Sequence, residues 1–187
     1  MSRSTILLIL KLVVFTLVFY AFCAFQTSFW PFVLGSFPAP QLWLIMVVFI
    51  ALKWPNIRAV FFIYFLGLIM TRYSYIPLKM AWTSLVALML FVWIFKNRIH
   101  STSLFYFSIL ATSGSFFYAI AYILISRWLE PNPTPIFFLH RLLELGCNFL
   151  FSIPIYKFLE FIDQRFESNP SWGPTTTTAS TSSEVES

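Results

Sequence analysis

Apolar residues run through this chain in long blocks, and the few charges gather at the block ends. A helix that spans a membrane needs about 20 consecutive apolar residues. The first block, 5–25, meets that length, with Lys11 placed to snorkel toward headgroups. QTSFWPFVLGSFPAP follows, uncharged and carrying Pro31, Pro38 and Pro40. It reads as a loop at the membrane interface, anchored by Trp30 and its Phe neighbours. Blocks 41–52 and 60–70 are separated by Lys53, Trp54, Pro55, Asn56 and Arg58. A proline beside two cations predicts a turn, and hence a hairpin of two short helices. Each would be roughly 17–18 Å long, short of the hydrocarbon thickness unless flanking residues extend it or the bilayer thins. Helices over 80–95, 103–126 and about 134–163 complete the pattern. RYSYIPLK, the basic run KNRIH and EPNPTP connect them. In the last, alternate prolines exclude helix. The chain is thus predicted to be all-α and polytopic, with about six transmembrane helices in one domain, 1–167. The Ser/Thr-rich stretch 168–187 has too few aliphatic residues to bury a core and is predicted to be a disordered cytoplasmic tail.

Composition agrees with the block pattern. Hydrophobic residues make up 59% of the 187 and charged residues only 10%, where soluble domains carry about 25%. Mean hydropathy is +0.80. The 24 phenylalanines suit lipid-facing surfaces and interfacial belts. The net charge of +5 forms no basic stripe, so it argues for topology signals and anionic-lipid contacts rather than nucleic acid. With the N-terminus inside, seven cations (Arg3, Lys53, Arg58, Lys96, Arg98, Lys157, Arg165) fall on the cytoplasmic side. Three (Arg72, Lys79, Arg127) fall outside, which favours N-in/C-in. Cys23 and Cys147 lie in apolar runs as small hydrophobes. No CxxC or Cys/His cluster occurs, so no metal or other cofactor is expected.

Two helices carry polar patterns. In the fifth, Ser108, Thr112, Ser115, Ala119, Tyr122 and Ser126 recur at alternating steps of four and three. At about 100° per residue they share roughly 80° of arc, a seam for close helix packing with hydroxyls able to bond across it. In the sixth, His140, Glu144, Asn148 and Ser152 stand four apart, with Arg141 able to reach Glu144. Polar groups at membrane depth are costly and call for partners. His140 and Glu144 have the spacing of a base and its orienter, yet no GxSxG, HExxH or paired carboxylates accompany them. Packing brace, ligand site and catalytic pair are the three readings, and the first needs no further motif. His140 and Arg141 fall near the outer headgroups. Asn148 lies deeper and must find a partner in a neighbouring helix. Pro154 frees the carbonyl of Leu150. The fifth and sixth helices, joined by a short connector, are expected to pack together, with Ser115 near Asn148.

FPAPQLWLIMVVFIALKWPNIRAVFFIYFLGLIM, 37–70, resembles the second and third helices of the MreD family of rod shape-determining membrane proteins. The shared features are a proline before a short apolar helix, a Trp near its start, a turn with Pro and a cation, and the terminal GLIM. Asn148 followed by Pro154 is similar to the family's last helix. The chain departs from the family at Thr71 and Arg72, where an Asp is usual, and at Pro77, near which the family has a glycine. The resemblance implies a fold like the substrate-binding S-components of energy-coupling factor transporters. It also implies a non-enzymatic role in the bacterial cytoplasmic (inner) membrane. There such proteins act in cell elongation and cell shape with an MreC-like membrane protein and the peptidoglycan-synthesis assembly organised by MreB. The alternative is an S-component-like subunit of a small-molecule transporter. Its only candidate polar cavity is the outer cluster of Arg127, Glu130, His140, Arg141 and Glu144, with Arg72 and Lys79 on the same side.

Overall fold

The computed structural model describes residues 3–73, 77–96, 103–129 and 138–166. These form seven α-helices and one π turn, with no strand among the described residues. Helix α1 (Arg3–Ala24) passes through a π turn (Phe25–Phe29) into α2 (Trp30–Leu34). Then come α3 (Leu42–Lys53), α4 (Asn56–Met70), α5 (Leu78–Lys96), α6 (Leu104–Leu129) and α7 (Phe138–Phe166). The continuous helical run 5–34 and helices α5, α6 and α7 are each long and apolar enough to cross a membrane; α3 and α4 are shorter apolar helices. The chain is therefore an all-helical membrane protein. The KNRIH run after Lys96, EPNPTP and the Ser/Thr-rich end fall outside the described residues.

Three segments differ from expectation. The stretch after residue 25 stays helical as far as Leu34 instead of looping out. Pro31 is tolerated because the helix changes winding just before it. A proline removes one helical donor and crowds the carbonyl four residues back, here Thr27, and the π turn lies over that place. Gly35, with φ of +58°, then ends α2 in a conformation that only glycine adopts freely. Trp30 points inward, 7% exposed, against Phe151, and its indole N–H donates to the Phe37 carbonyl. The exposed rings there are Phe29, Phe32 and Phe37. Helix α4 starts directly after Pro55, so Arg58 lies in its first turn rather than in the connector. Lys11 faces Asp163 of α7 at 2.7 Å instead of snorkelling away alone.

The core is organised around α3. Every residue from Leu42 to Ala51 is buried, because α1, α4, α5, α6 and α7 all pack on this one short helix. A helix that is apolar all round belongs inside a bundle. This resolves the length problem. At 12 residues α3 is about 18 Å long, but it is enclosed by protein and need not reach from one headgroup layer to the other. Many of the phenylalanines serve this core rather than the lipid face. Phe15, Phe49, Phe107 and Tyr156 form a chain of ring contacts beside α3, the closest 4.6 Å between centroids. Trp54 and Phe62 extend it toward α4. In the GLIM segment, Gly67 admits the Trp82 ring so closely that a Cβ there would lie 2.9 Å from it. Trp82 stacks on Tyr64 across the same α4–α5 contact.

Candidate functional site: a polar ring at the start of the central helix

The first turn of any α-helix leaves backbone N–H groups without helical partners. Water normally satisfies some of them. At the start of α3, Gln41 and the residues after it are buried. Local carbonyls take two of these N–H groups, with Leu42 N–H donating to Pro40 and Leu44 N–H to Gln41, and a neighbouring helix takes a third. Gln41, the residue preceding α3, donates its backbone N–H to Asn148 Oδ1 of α7 at 2.6 Å. Asn148 Nδ2 donates to Ser115 Oγ of α6 at 2.8 Å. Ser115 Oγ donates to Gln41 Oε1, also at 2.8 Å. The three residues thus close a ring through three helices. Gln41 Nε2 then donates to Glu144 Oε1, and Arg141 donates to Glu144 Oε2 at 2.6 Å. The Glu144 carboxylate near the N-terminal end of α3 also has the sign that the helix dipole favours.

Helix packing sets this geometry. PAP before Gln41 holds the incoming chain extended, so α3 starts abruptly with Gln41 as its cap residue. Ser115 and Gly114 lie on the buried side of α6, where a Cβ on Gly114 would touch Leu88 at 3.1 Å. Glu144 and Asn148 stand one turn apart on the buried side of α7.

The residues singled out in the sequence divide sharply. Ser115, Asn148, Glu144 and Arg141 come together in the ring and its extension. Ser108 and Thr112 lie on the same helix as Ser115, yet their hydroxyls bond back to the carbonyls of Leu104 and Ser108. Ser152 likewise bonds back, to Phe149. His140 is exposed and outside the ring, and Pro154 is exposed within a helix that continues through it. Gln41, the hub, was not singled out. Its signal was present: one uncharged polar residue between a proline pair and a short, wholly apolar helix.

The opposite end of α3 carries a second polar cluster. Lys96 of α5 donates from Nζ to the carbonyls of Ala51 and Trp54, at 3.2 and 2.9 Å, and to Asn56 Oδ1. A cation on the last carbonyls of a helix satisfies both hydrogen bonds and the dipole. Beside it, Trp54 Nε1 donates to Asp163 Oδ1, which also pairs with Lys11. Lys53 pairs with Glu160, and Tyr156 donates to the same carboxylate.

Chemically, the ring is quiet. The Ser115 proton is directed at an amide oxygen, which is no base, and both Glu144 oxygens already accept hydrogen bonds. Among the described residues no group of three His, Cys, Asp or Glu side chains is placed to hold a metal. What the arrangement does well is fix the start of α3 against α6 and α7. No family model, curated protein or solved structure matches the chain.

Proposed function

We propose that the chain is a non-enzymatic integral membrane component of the bacterial cell-elongation machinery, similar in role to MreD. It would sit in the cytoplasmic membrane as six helices with both ends inside, the short α3–α4 hairpin supplying two of them. It would act by binding an MreC-like membrane protein and the peptidoglycan-synthesis assembly. The observation that carries this reading is the bond between Gln41 and Asn148. The resemblance to the family rests on two separated segments, the FPAPQLW start of one helix and the Asn148–Pro154 element of the last. The fold brings these segments into direct contact, giving them one shared physical task.

Two further observations support a scaffold. The buried polar groups of the ring are turned toward one another rather than toward an open cavity. The outer faces of α5 and α6 present apolar stripes, such as Val86, Leu90 and Ile94, suited to lipid or to partner helices. Depletion of the protein tests the role, with cell width as readout. Rounded, widened cells are expected, together with co-purification of a single-span coiled-coil membrane protein. Unchanged width, or a tightly retained small metabolite in the purified protein, overturns the proposal in favour of a transporter subunit.

A further inference from the structure

We infer that α4 compresses the bilayer beside it and selects phospholipids with short acyl chains. Its inward side, with Ala59, Phe62, Ile63, Leu66 and Met70, is buried against the bundle. Its outward side, with Ile57, Phe61, Tyr64, Phe65 and Leu68, is exposed along about 100° of arc, and every member is apolar or aromatic. Such a face belongs against hydrocarbon. Yet α4 has 15 residues and is about 22 Å long, where the hydrocarbon of a typical bilayer is about 30 Å thick. Helix α3 escapes the same shortfall because protein encloses it. Helix α4 does not.

The packing closes the other ways out. Tilting a short helix only reduces the thickness it spans. Sliding along the axis is blocked at one end by Lys96, which bonds the carbonyls of Ala51 and Trp54 and the Asn56 side chain. Toward the other end it is blocked by the close fit of Trp82 over Gly67. A snorkelling side chain carries its own charge outward but leaves the end backbone groups of the helix where they are. The neighbouring α5, at 19 residues, is about 28 Å long, and α6, at 26, about 39 Å, so the shortfall is greatest at α4. The bilayer must therefore give way there, at a cost of a fraction of a kcal/mol for each Å. Shorter chains remove that cost, so chain length is the property recognised. The inference rests on the membrane-spanning placement of the α3–α4 hairpin proposed above and not on the cell-elongation role.

The test uses the full chain in nanodiscs holding dimyristoleoyl- and dioleoyl-phosphatidylcholine in equal amounts, so that only chain length differs. The lipids retained on release are counted by native mass spectrometry. Enrichment of the shorter lipid by roughly threefold is expected. Thr71→Leu/Arg72→Leu lengthens the apolar band of α4 by about 3 Å and should bring the ratio toward parity. Arg127→Leu, at the end of the long α6, should leave the ratio unchanged. Equal retention of the two lipids by the unsubstituted protein overturns the inference. So does a ratio that Thr71→Leu/Arg72→Leu fails to move, or one that Arg127→Leu lowers as much. A nitroxide at Phe61→Cys, with Cys147→Ala to leave only the buried Cys23, reports the placement of α4 separately. A depth within the hydrocarbon is expected. A water-exposed label overturns the placement and the inference together, whereas a buried label with no lipid preference overturns the inference alone.

Discussion

The two ends of α3 solve one problem in two ways. Both present backbone groups that the helix itself leaves without partners. At the N-terminal end the partners are short, neutral side chains, Gln41, Ser115 and Asn148, closed into a ring and wholly enclosed by protein. At the C-terminal end the partners are long cationic side chains, Lys96 above all, in a cluster that opens onto a furrow. A short amide has no second place to go when its partner is removed. A lysine can swing its ammonium to headgroups or water. The difference teaches that sensitivity should follow the freedom of the surviving partner rather than the formal charge of the pair.

Asn148→Leu should therefore do the most damage. It leaves the Gln41 N–H and the Ser115 hydroxyl with one partner fewer, at a cost of about 2–3 kcal/mol. Thermal unfolding in detergent measures it; a loss no larger than that of the charge variants below would break the comparison. Asp163→Asn should come next, at about 1–2 kcal/mol. It discharges a partner of both Lys11 and Trp54, but the Lys11 side chain, 16% exposed, can turn outward. Restoring stability with Lys11→Met in that background would sharpen the point, because an apolar replacement removes the stranded charge. Lys53→Gln should cost least, under about 1 kcal/mol, since Lys53 and Glu160 are 25% and 32% exposed and such pairs contribute little.

Much of the fold was legible. The block pattern placed α3, α5, α6 and most of α7 within a few residues, because long apolar runs flanked by charges have few other solutions in a membrane. The turn at Trp54–Pro55 was legible for the same reason. The helical run through Pro31 was not, because three prolines in 15 residues look like a loop, and only the local π winding reconciles Pro31 with a helix. Of the ring, the pairing of Ser115 with Asn148 could be expected from two polar faces on neighbouring helices. Gln41 could not be ranked above other polar residues until a third helix was seen to end between those two. The ion pairs of Lys11 with Asp163 and Lys53 with Glu160 were hidden for a similar reason. Their partners are more than 100 residues apart, and apolar spacing gives no register between helices.

The sequence by itself determined that this is a helical membrane protein, where most of its helices run, and which faces of α6 and α7 are polar. Those properties depend on local periodicity and on the cost of exposing backbone to lipid. Only the tertiary structure decided that α3 is the buried axis of the bundle, that Gln41 and Lys96 serve its two ends, and that Ser108 and Thr112 bond to their own helix while Ser115 reaches across. A hydroxyl on a helix has a carbonyl of its own always at hand. Whether it reaches outward depends on what a neighbouring helix brings within about 3 Å, and packing alone settles that.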